Sequence, residues 1–223
     1  MKVCIYVEGP SDKNALEALL VNLIDQKSEE GVSIEFFPIK GSNNDRGGDA
    51  KRDLLLKAPT KAVNILGNNP NSIAIILPDL YPKNKGFSHE TFQQLEAGIM
   101  ENFSQALQKK GIQDERLKES FKVFCFKYEM EALILAAESG LRGKLGVTDL
   151  KVTWTIPVED QNHDRPPSKI VEQLFRDSDK KYNKTVDPQL ILRNTSDQEI
   201  TDKCTRFKQF VKFREGIHGK FLA

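Results

Sequence analysis

Short apolar runs alternate with longer amphipathic stretches along the first 140 residues of the chain. The runs are rich in β-branched residues and are typical of strands that are covered on both faces, whereas the stretches between them carry apolar residues at helical spacing. Four strands are predicted, at residues 2–7, 33–39, 72–77 and 121–126. Because parallel neighbours need a helical crossover, this order predicts an α/β fold with a doubly wound, mostly parallel four-stranded sheet.

The stretches between the strands carry signals for the ends of helices. After the first strand, Ser11 can cap a helix whose first turn contains Asp12. We expect Pro59 to weaken a helix at 49–66 and Gly140 to close the last helix of this region. The remaining helices are predicted at 90–110 and 128–138.

The pattern changes near residue 140. Several prolines and Trp154 mark an irregular segment, and helical patterns follow at 168–175, 188–194 and 200–215. These helices carry too many apolar side chains to remain in water, so they must cover another surface. We therefore expect an α/β core at 1–140 and a mostly helical C-terminal extension at 141–223 that packs on this core.

Composition places the chain among ordinary globular proteins. Hydrophobic residues make up 39% and charged residues 29% of the 223 residues, which excludes disordered and fibrous classes. The 33 basic and 32 acidic residues leave a formal net charge of +1, so any binding of nucleic acid needs a local basic patch.

The three cysteines, Cys4, Cys125 and Cys204, fit neither a disulfide framework nor a zinc site by number and spacing. Cys4 and Cys125 lie in apolar, strand-like runs, so we expect both to be buried thiols, and we expect a reducing compartment. No apolar run approaches the ~18 residues of a membrane span, and no cleavable signal follows Met1. A cytoplasmic location is therefore expected.

Acidic residues follow three of the four predicted strands. Glu8 comes after the first strand, Asp79 after the third, and Glu129 and Glu131 after the fourth. In open α/β sheets the functional crevice lies beyond the carboxyl ends of the strands, where gathered carboxylates repel one another unless a divalent cation neutralises them. The sequence therefore predicts an Mg²⁺ or Mn²⁺ site, with Asp12 as a further ligand or only a helix-start anion.

Glu129 and Glu131 can both face one site only if their segment is extended. Two positions along a helix separate side chains by ~200° around the axis, whereas in a strand they share a face. The sequence leaves these alternatives open. Glu131 precedes an apolar face that continues at Ile134 and Leu135, which favours it as the inward-facing group.

Two segments are candidate phosphate contacts. The glycine-rich stretch 41–48 contains Arg46 and precedes Lys51, although its spacing is not that of a P-loop, and it can also be a plain loop. The second candidate is a helix start at which two prolines precede Ser168 and Lys169; its alternative is a surface turn.

The three histidines show no spacing that suggests nucleophilic catalysis. We expect all of them to lie on the surface: His89, His163 and His218.

Five motifs follow one another along the chain: Val7-Glu8-Gly9-Pro10-Ser11-Asp12, Asp79-Leu80-Tyr81, Tyr128-Glu129-Met130-Glu131-Ala132-Leu133, Pro167-Ser168-Lys169 and Cys204-Thr205-Arg206-Phe207. The first motif, together with Asp79 after the third predicted strand, resembles the Toprim fold, the metal-binding α/β domain of topoisomerases, bacterial primases, recombination-repair proteins and overcoming-lysogenization-defect nucleases. More specifically, the order of all five motifs, which covers nearly the whole chain, is similar to a bacterial Toprim-like family, the domain-of-unknown-function family 4276.

The resemblance implies Mg²⁺-dependent phosphodiester chemistry, with Glu8 as acid/base and metal-associated group and Asp79 as a metal ligand. Toprim enzymes usually present Asp-x-Asp, whereas this chain has Tyr81 at the second acidic place. One ligand is therefore missing unless Glu129 or Glu131 replaces it. Members of the family are often encoded beside ATPases of the AAA or structural-maintenance type, which implies a two-component defence or repair assembly.

These observations lead to two main hypotheses of function. The first is a metal-dependent nuclease acting on DNA or RNA, in which Arg46, Lys51 or Lys169 holds the phosphate. The second is a degenerate Toprim module that binds a partner ATPase or nucleic acid without chemistry, which Tyr81 and the nearly neutral charge favour. A nucleotide-handling phosphohydrolase is also compatible with this sheet.

Overall fold

The structure is a computed structural model that describes residues 1–39, 49–161 and 164–217. These residues divide into two compact units, and the longest continuous parts of the two meet in the chain between Cys125 and Phe126. The predicted domain boundary at residue 140 stays a prediction. Within the described residues, the first unit contains 1–13, 22–39, 49–125 and 217, and the second contains 14–21, 126–161 and 164–216.

A four-stranded sheet forms the centre of the first unit. Its strands are β1 (Lys2–Val7), β2 (Ser33–Pro38), β3 (Ser72–Ile76) and β4 (Phe121–Val123). They lie in the order β2-β1-β3-β4, and every neighbouring pair is parallel. This confirms the predicted α/β fold with a parallel four-stranded sheet, although β4 ends before the predicted residue 126.

Helices α3 and α4 cover one face of this sheet. The helices between β1 and β4 are α1 (Pro10–Leu19), α2 (Val21–Glu29), α3 (Ala50–Asn68), α4 (Phe92–Lys109) and α5 (Glu115–Glu119). Buried side chains of α3 and α4 form one apolar core with Cys4 and Tyr6 of β1 and with Ala74 and Ile76 of β3. The alternate residues of each strand therefore point to the same helical layer.

Pro59 lies inside α3 without ending it. A proline has no N–H, so it cannot donate the helical hydrogen bond to the carbonyl of Leu55, four residues earlier. The side-chain amide of Asn102, on α4, donates to that carbonyl oxygen at 3.2 Å. The predicted weak point of the helix is thus compensated by a side chain of the neighbouring helix.

The second unit is mostly helical. After β4 the chain forms α6 (Glu131–Ala136), α7 (Glu138–Leu145), α8 (Pro167–Asp177), α9 (Asp187–Arg193), α10 (Asp197–Thr201) and α11 (Thr205–Glu215). The prediction that Gly140 closes a helix is wrong, because Gly140 lies inside α7. A Cβ atom there would lie 2.2 Å from the carbonyl oxygen of Ile191, so the glycine permits close packing of α7 against α9. Gly146, with φ of 73°, ends α7 instead.

The three cysteines form no disulfide and are buried, which confirms the prediction for Cys4 and Cys125 and adds Cys204. Within the described part of the chain, no helix combines the length and the apolar character that crossing a lipid bilayer requires.

Candidate metal centre

Glu8 and Asp79 flank the point at which the strand order of the sheet reverses. From β1 the chain first adds β2 on one side and then returns to add β3 on the other side. Glu8 directly follows β1, and Asp79 lies shortly after β3. Parallel strands leave a sheet at the same edge, and ligands of such sheets bind at this reversal. The backbone N–H of Asp79 also donates to the Glu8 carboxylate, which helps to lower its pKa.

The Glu8 carboxyl group lies in surroundings that disfavour its charged form. Its Oε1 atom is buried and has no hydrogen-bond partner among the described residues. Burial, followed by the negative charge of Asp12, raises the pKa of Glu8 from the ordinary 4.5 to about 7, although Lys51 opposes this effect. A bound cation would satisfy such an oxygen, so the chemistry of Glu8 fits that of a metal ligand.

Asp12 performs a structural task at the start of α1. Its Oδ2 atom accepts the backbone N–H of Gly9 at 2.9 Å, which fixes the turn between β1 and the helix. The same carboxylate acts on Glu8 through its charge. The structure therefore places Asp12 beside Glu8, and its service as a metal ligand stays a prediction.

Lys51 is buried next to this pair of acids instead of extending from a surface loop. It lies in the first turn of α3 with 3% of its surface exposed. Burial lowers the pKa of Lys51, while the charges of Glu8 and Asp79 act in the opposite direction. The predicted contact of Lys51 with phosphate stays a prediction.

Glu129 and Glu131 lie in the second unit and share one lysine. The Nζ atom of Lys184 lies 3.2 Å from Oε2 of Glu129 and 3.5 Å from Oε1 of Glu131. Glu131 begins α6 and is 4% exposed, whereas Glu129 is exposed. The hydroxyl group of Tyr182 also donates to Oε1 of Glu131 at 3.2 Å.

Burial and the neighbouring charges shift the pKa of Glu131 and of Lys184. Burial raises the pKa of Glu131, although Lys184 opposes the rise. Burial also acts to lower the pKa of Lys184, but the two glutamates outweigh it and the net shift is upward. Sequence reasoning missed Tyr182 and Lys184, because they lie more than fifty residues along the chain from the acids that they contact.

The described residues contain no preformed metal site of three or more ligands. In the ranges 1–39, 49–161 and 164–217, no group of three or more histidine, cysteine, aspartate or glutamate side chains is arranged to hold a metal ion. Glu8, Asp12 and Asp79 belong to the first unit and Glu129 and Glu131 to the second.

The predicted phosphate contacts have different outcomes. Ser168 and Lys169 occupy the first turn of α8, behind the two prolines. The Lys169 side chain is 67% exposed, and its Nζ atom lies 3.7 Å from Glu172. Arg46 lies outside the described residues, so the structure adds nothing to its prediction.

The prediction that His89 lies on the surface is wrong. His89 is 1% exposed, and its ring packs edge-on against Phe87 with 5.4 Å between ring centroids. Its Nδ1 atom lies 2.9 Å from the carbonyl oxygen of Phe87, and its backbone N–H donates to Asn84. The polar residues around His89 in the sequence indicated an exposed segment, whereas the His89 side chain is buried. The predictions for His163 and His218 fall outside the described residues.

Comparisons with known proteins relate the chain to one family and to several solved structures. The C-terminal region of the Burkholderia pseudomallei OLD protein is 16% identical, with a TM-score of 0.47 and 96% of both chains covered. The C-terminal region of the Xanthomonas campestris pv. campestris OLD protein is 14% identical, with a TM-score of 0.38 and coverage of 97% of this chain and 98% of that one. No curated protein sequence is significantly similar. The family model described as "Domain of unknown function (DUF4276)" matches residues 7–213, and the chain therefore belongs to this family.

Proposed function

We propose that this protein is a metal-dependent nuclease whose centre is built on Glu8 and Asp79. The observation that carries the proposal is the buried Oε1 atom of Glu8, which has no hydrogen-bond partner in the described part of the chain, at the switch point of a parallel sheet. A second carboxylate, that of Asp79, follows the adjacent strand. A divalent cation would complete this arrangement, because it would supply the missing partner and offset the repulsion between the acids.

Each acid has a distinct chemical task in this proposal. A bound Mg²⁺ or Mn²⁺ would supply Lewis-acid stabilisation of charge on the phosphoryl oxygens and a more acidic water. In metal-free protein, burial raises the pKa of Glu8 to about 7. A bound cation would lower this pKa, so Glu8 would act there as a charged, metal-associated carboxylate that can accept a proton as a general base. Asp79 would bind the cation as a ligand, with Asp12 as a further candidate.

The proposed substrate is a phosphodiester of DNA or RNA. Ser168 and the exposed Lys169, in the first turn of α8, and Arg46 would contact its phosphates. The family resemblance adds a partner ATPase of the AAA or structural-maintenance type, acting with this protein in defence or repair.

Cleavage assays with Glu8→Gln and Asp79→Asn test the proposal. Single- and double-stranded DNA and RNA would be incubated with Mg²⁺ or Mn²⁺, and each variant is expected to lose at least about 100-fold in rate. Glu29→Gln, at an exposed position of α2, is the matched control and should cleave like wild type. If both active-site variants retain full activity, the catalytic assignment is wrong.

A second candidate is a non-catalytic module that binds a partner ATPase or nucleic acid. Two observations favour it: Tyr81 stands where a second acid is expected, and the described residues contain no group of three ligands. Calorimetric titration with Mn²⁺ separates the two candidates. A nuclease centre should bind the cation, whereas a module without chemistry should bind none.

A further inference from the structure

We propose that Lys51 is a positioning residue, which holds the backbone after β3 so that Asp79 is presented to a cation beside Glu8. This inference rests on the proposed function, because it concerns the same centre. It assigns Lys51 a task within the protein in place of a contact with substrate phosphate.

The hydrogen bonds of Lys51 are directed at the turn that follows Asp79. Its Nζ atom donates to the carbonyl oxygen of Leu80 at 2.7 Å and to that of Pro82 at 2.5 Å. Two of the three donors of the ammonium group are therefore used on backbone atoms within three residues of Asp79. Hydrogen bonds from a charged donor are stronger than neutral ones, and burial strengthens them further.

This turn needs such a connection, because no helix or strand lies between β3 and α4. A second connection joins the same two segments: Asp49, the N-cap of α3, forms an ion pair with Lys85 at 2.8 Å. Within the segment, Asn84 donates to Glu90 at 2.6 Å. The start of α3 thus holds this segment by polar contacts, in addition to the packing of Leu80, Tyr81 and Phe87 on the apolar core.

Positioning and simple charge neutralisation predict opposite effects on the binding of a cation. If Lys51 were only a positive charge near Glu8 and Asp79, its removal would strengthen cation binding, because a repulsive neighbour is lost. If Lys51 positions Asp79, its removal weakens binding, because the ligand is no longer held in place. The sign of the change therefore distinguishes the two roles.

The test is a calorimetric titration of the full chain with Mn²⁺. Lys51→Met is expected to weaken Mn²⁺ binding by about 10- to 100-fold, the usual effect of losing a group that orients a metal ligand. Lys57→Met is the matched control: it lies on the same helix, its side chain is 61% exposed, and binding should not change. Hydrogen exchange should also become faster at residues 79–91 of Lys51→Met, while β1 stays protected.

Unchanged or tighter binding of Mn²⁺ by a folded Lys51→Met variant overturns the inference. If that variant does not melt cooperatively, Lys51→Gln is judged by the same criterion, because its neutral amide is one bond too short to take the place of Nζ. Absence of binding by the wild-type protein would instead refute the proposed metal centre, and the positioning role with it. The failure of the inference alone is thus distinguishable from the failure of the proposed function.

Discussion

The Nζ atom of Lys51 lies 2.7 Å from the carbonyl oxygen of Leu80, so a buried charge joins the start of α3 to the turn after β3. Replacing Lys51 removes this bond and the one to Pro82, and it leaves two backbone acceptors without their donor. Loss of hydrogen bonds from a charged group typically costs about 1.5–3 kcal/mol each in context. The stability of this segment is therefore expected to depend strongly on Lys51.

The first prediction is that Lys51→Met lowers the free energy of unfolding by about 2–4 kcal/mol in metal-free protein, less than two full bonds because the variant no longer buries a charge. Urea unfolding followed by circular dichroism measures this change. Lys57→Met, which removes an exposed ion pair with Asp53, should change stability by less than about 1 kcal/mol. Equal effects of the two substitutions would contradict the buried role of Lys51.

The second prediction concerns Glu8 and pH in metal-free protein. Since the folded-state pKa of about 7 lies above the ordinary 4.5, the folded protein retains a proton that the unfolded chain releases. Wild-type stability should therefore fall, through this group, as pH rises from about 4.5 to about 7. Glu8→Gln removes the effect, so the variant should be more stable than wild type above this window and closer to it below.

Unfolding measured in EDTA between about pH 4 and about pH 8 tests this, with Glu29→Gln as the control. Burial lowers the pKa of His89, which acts on stability in the opposite direction, but this contribution cancels in the difference between variant and wild type. A difference that does not depend on pH would show that Glu8 has no raised pKa.

The third prediction compares two glycines of α7. Gly140→Ala places a Cβ atom 2.2 Å from the carbonyl oxygen of Ile191 and 2.4 Å from the Thr195 hydroxyl, so α7 and α9 must separate. We expect a loss of about 1–3 kcal/mol or more. At Gly143 no atom lies within 4 Å of the new methyl group, and Gly143→Ala should stabilise the helix by about 0.5–1 kcal/mol. Thermal melting of both variants tests this, because the melting temperature should fall for Gly140→Ala and rise for Gly143→Ala.

The fourth prediction concerns the hydrogen bond from Tyr182 to Glu131. Tyr182→Phe should lower the free energy of unfolding by about 1.5–3 kcal/mol, because a buried carboxylate loses a donor. In a Glu131→Gln background the loss should fall to about 1 kcal/mol, since the remaining bond is neutral. A double-mutant cycle by urea unfolding measures the coupling. Identical losses in both backgrounds would mean that the hydroxyl and the carboxylate do not interact.

The sheet could be predicted from the sequence because its signals are local. The run from Lys2 to Val7 is apolar and β-branched, and the observed strand has the same bounds. Glu8 and Asp79 could be selected for the same reason, since parallel strands deliver the residues that follow them to one edge. Both positions lie at the same edge because the strands are parallel, whichever side chains follow them.

Contacts between distant parts of the chain could not be predicted. The burial of Lys51 depends on carbonyl groups 29 and 31 residues further along, which no periodicity encodes. Lys184 donates a hydrogen bond to Glu129, which lies 55 residues away in the sequence. The sequence around Glu129 and Glu131 therefore did not indicate that a lysine accompanies them. Gly140 was predicted to end a helix, but the glycine is needed because α9 packs closely against α7 at this point. Since α9 is also far away along the chain, no local signal indicated this packing.

The pairing of Asn102 with the carbonyl that Pro59 leaves without a helical donor gives substitutions at these positions a preferred order. If Asn102 changes first, a carbonyl of the fully buried Leu55 loses its donor, and the chain becomes less stable. If Pro59 changes first, the new residue supplies the backbone N–H that donates to the Leu55 carbonyl, and Asn102 can then be substituted without leaving this carbonyl unpaired. Descendants of this sequence should therefore lose the proline before the asparagine.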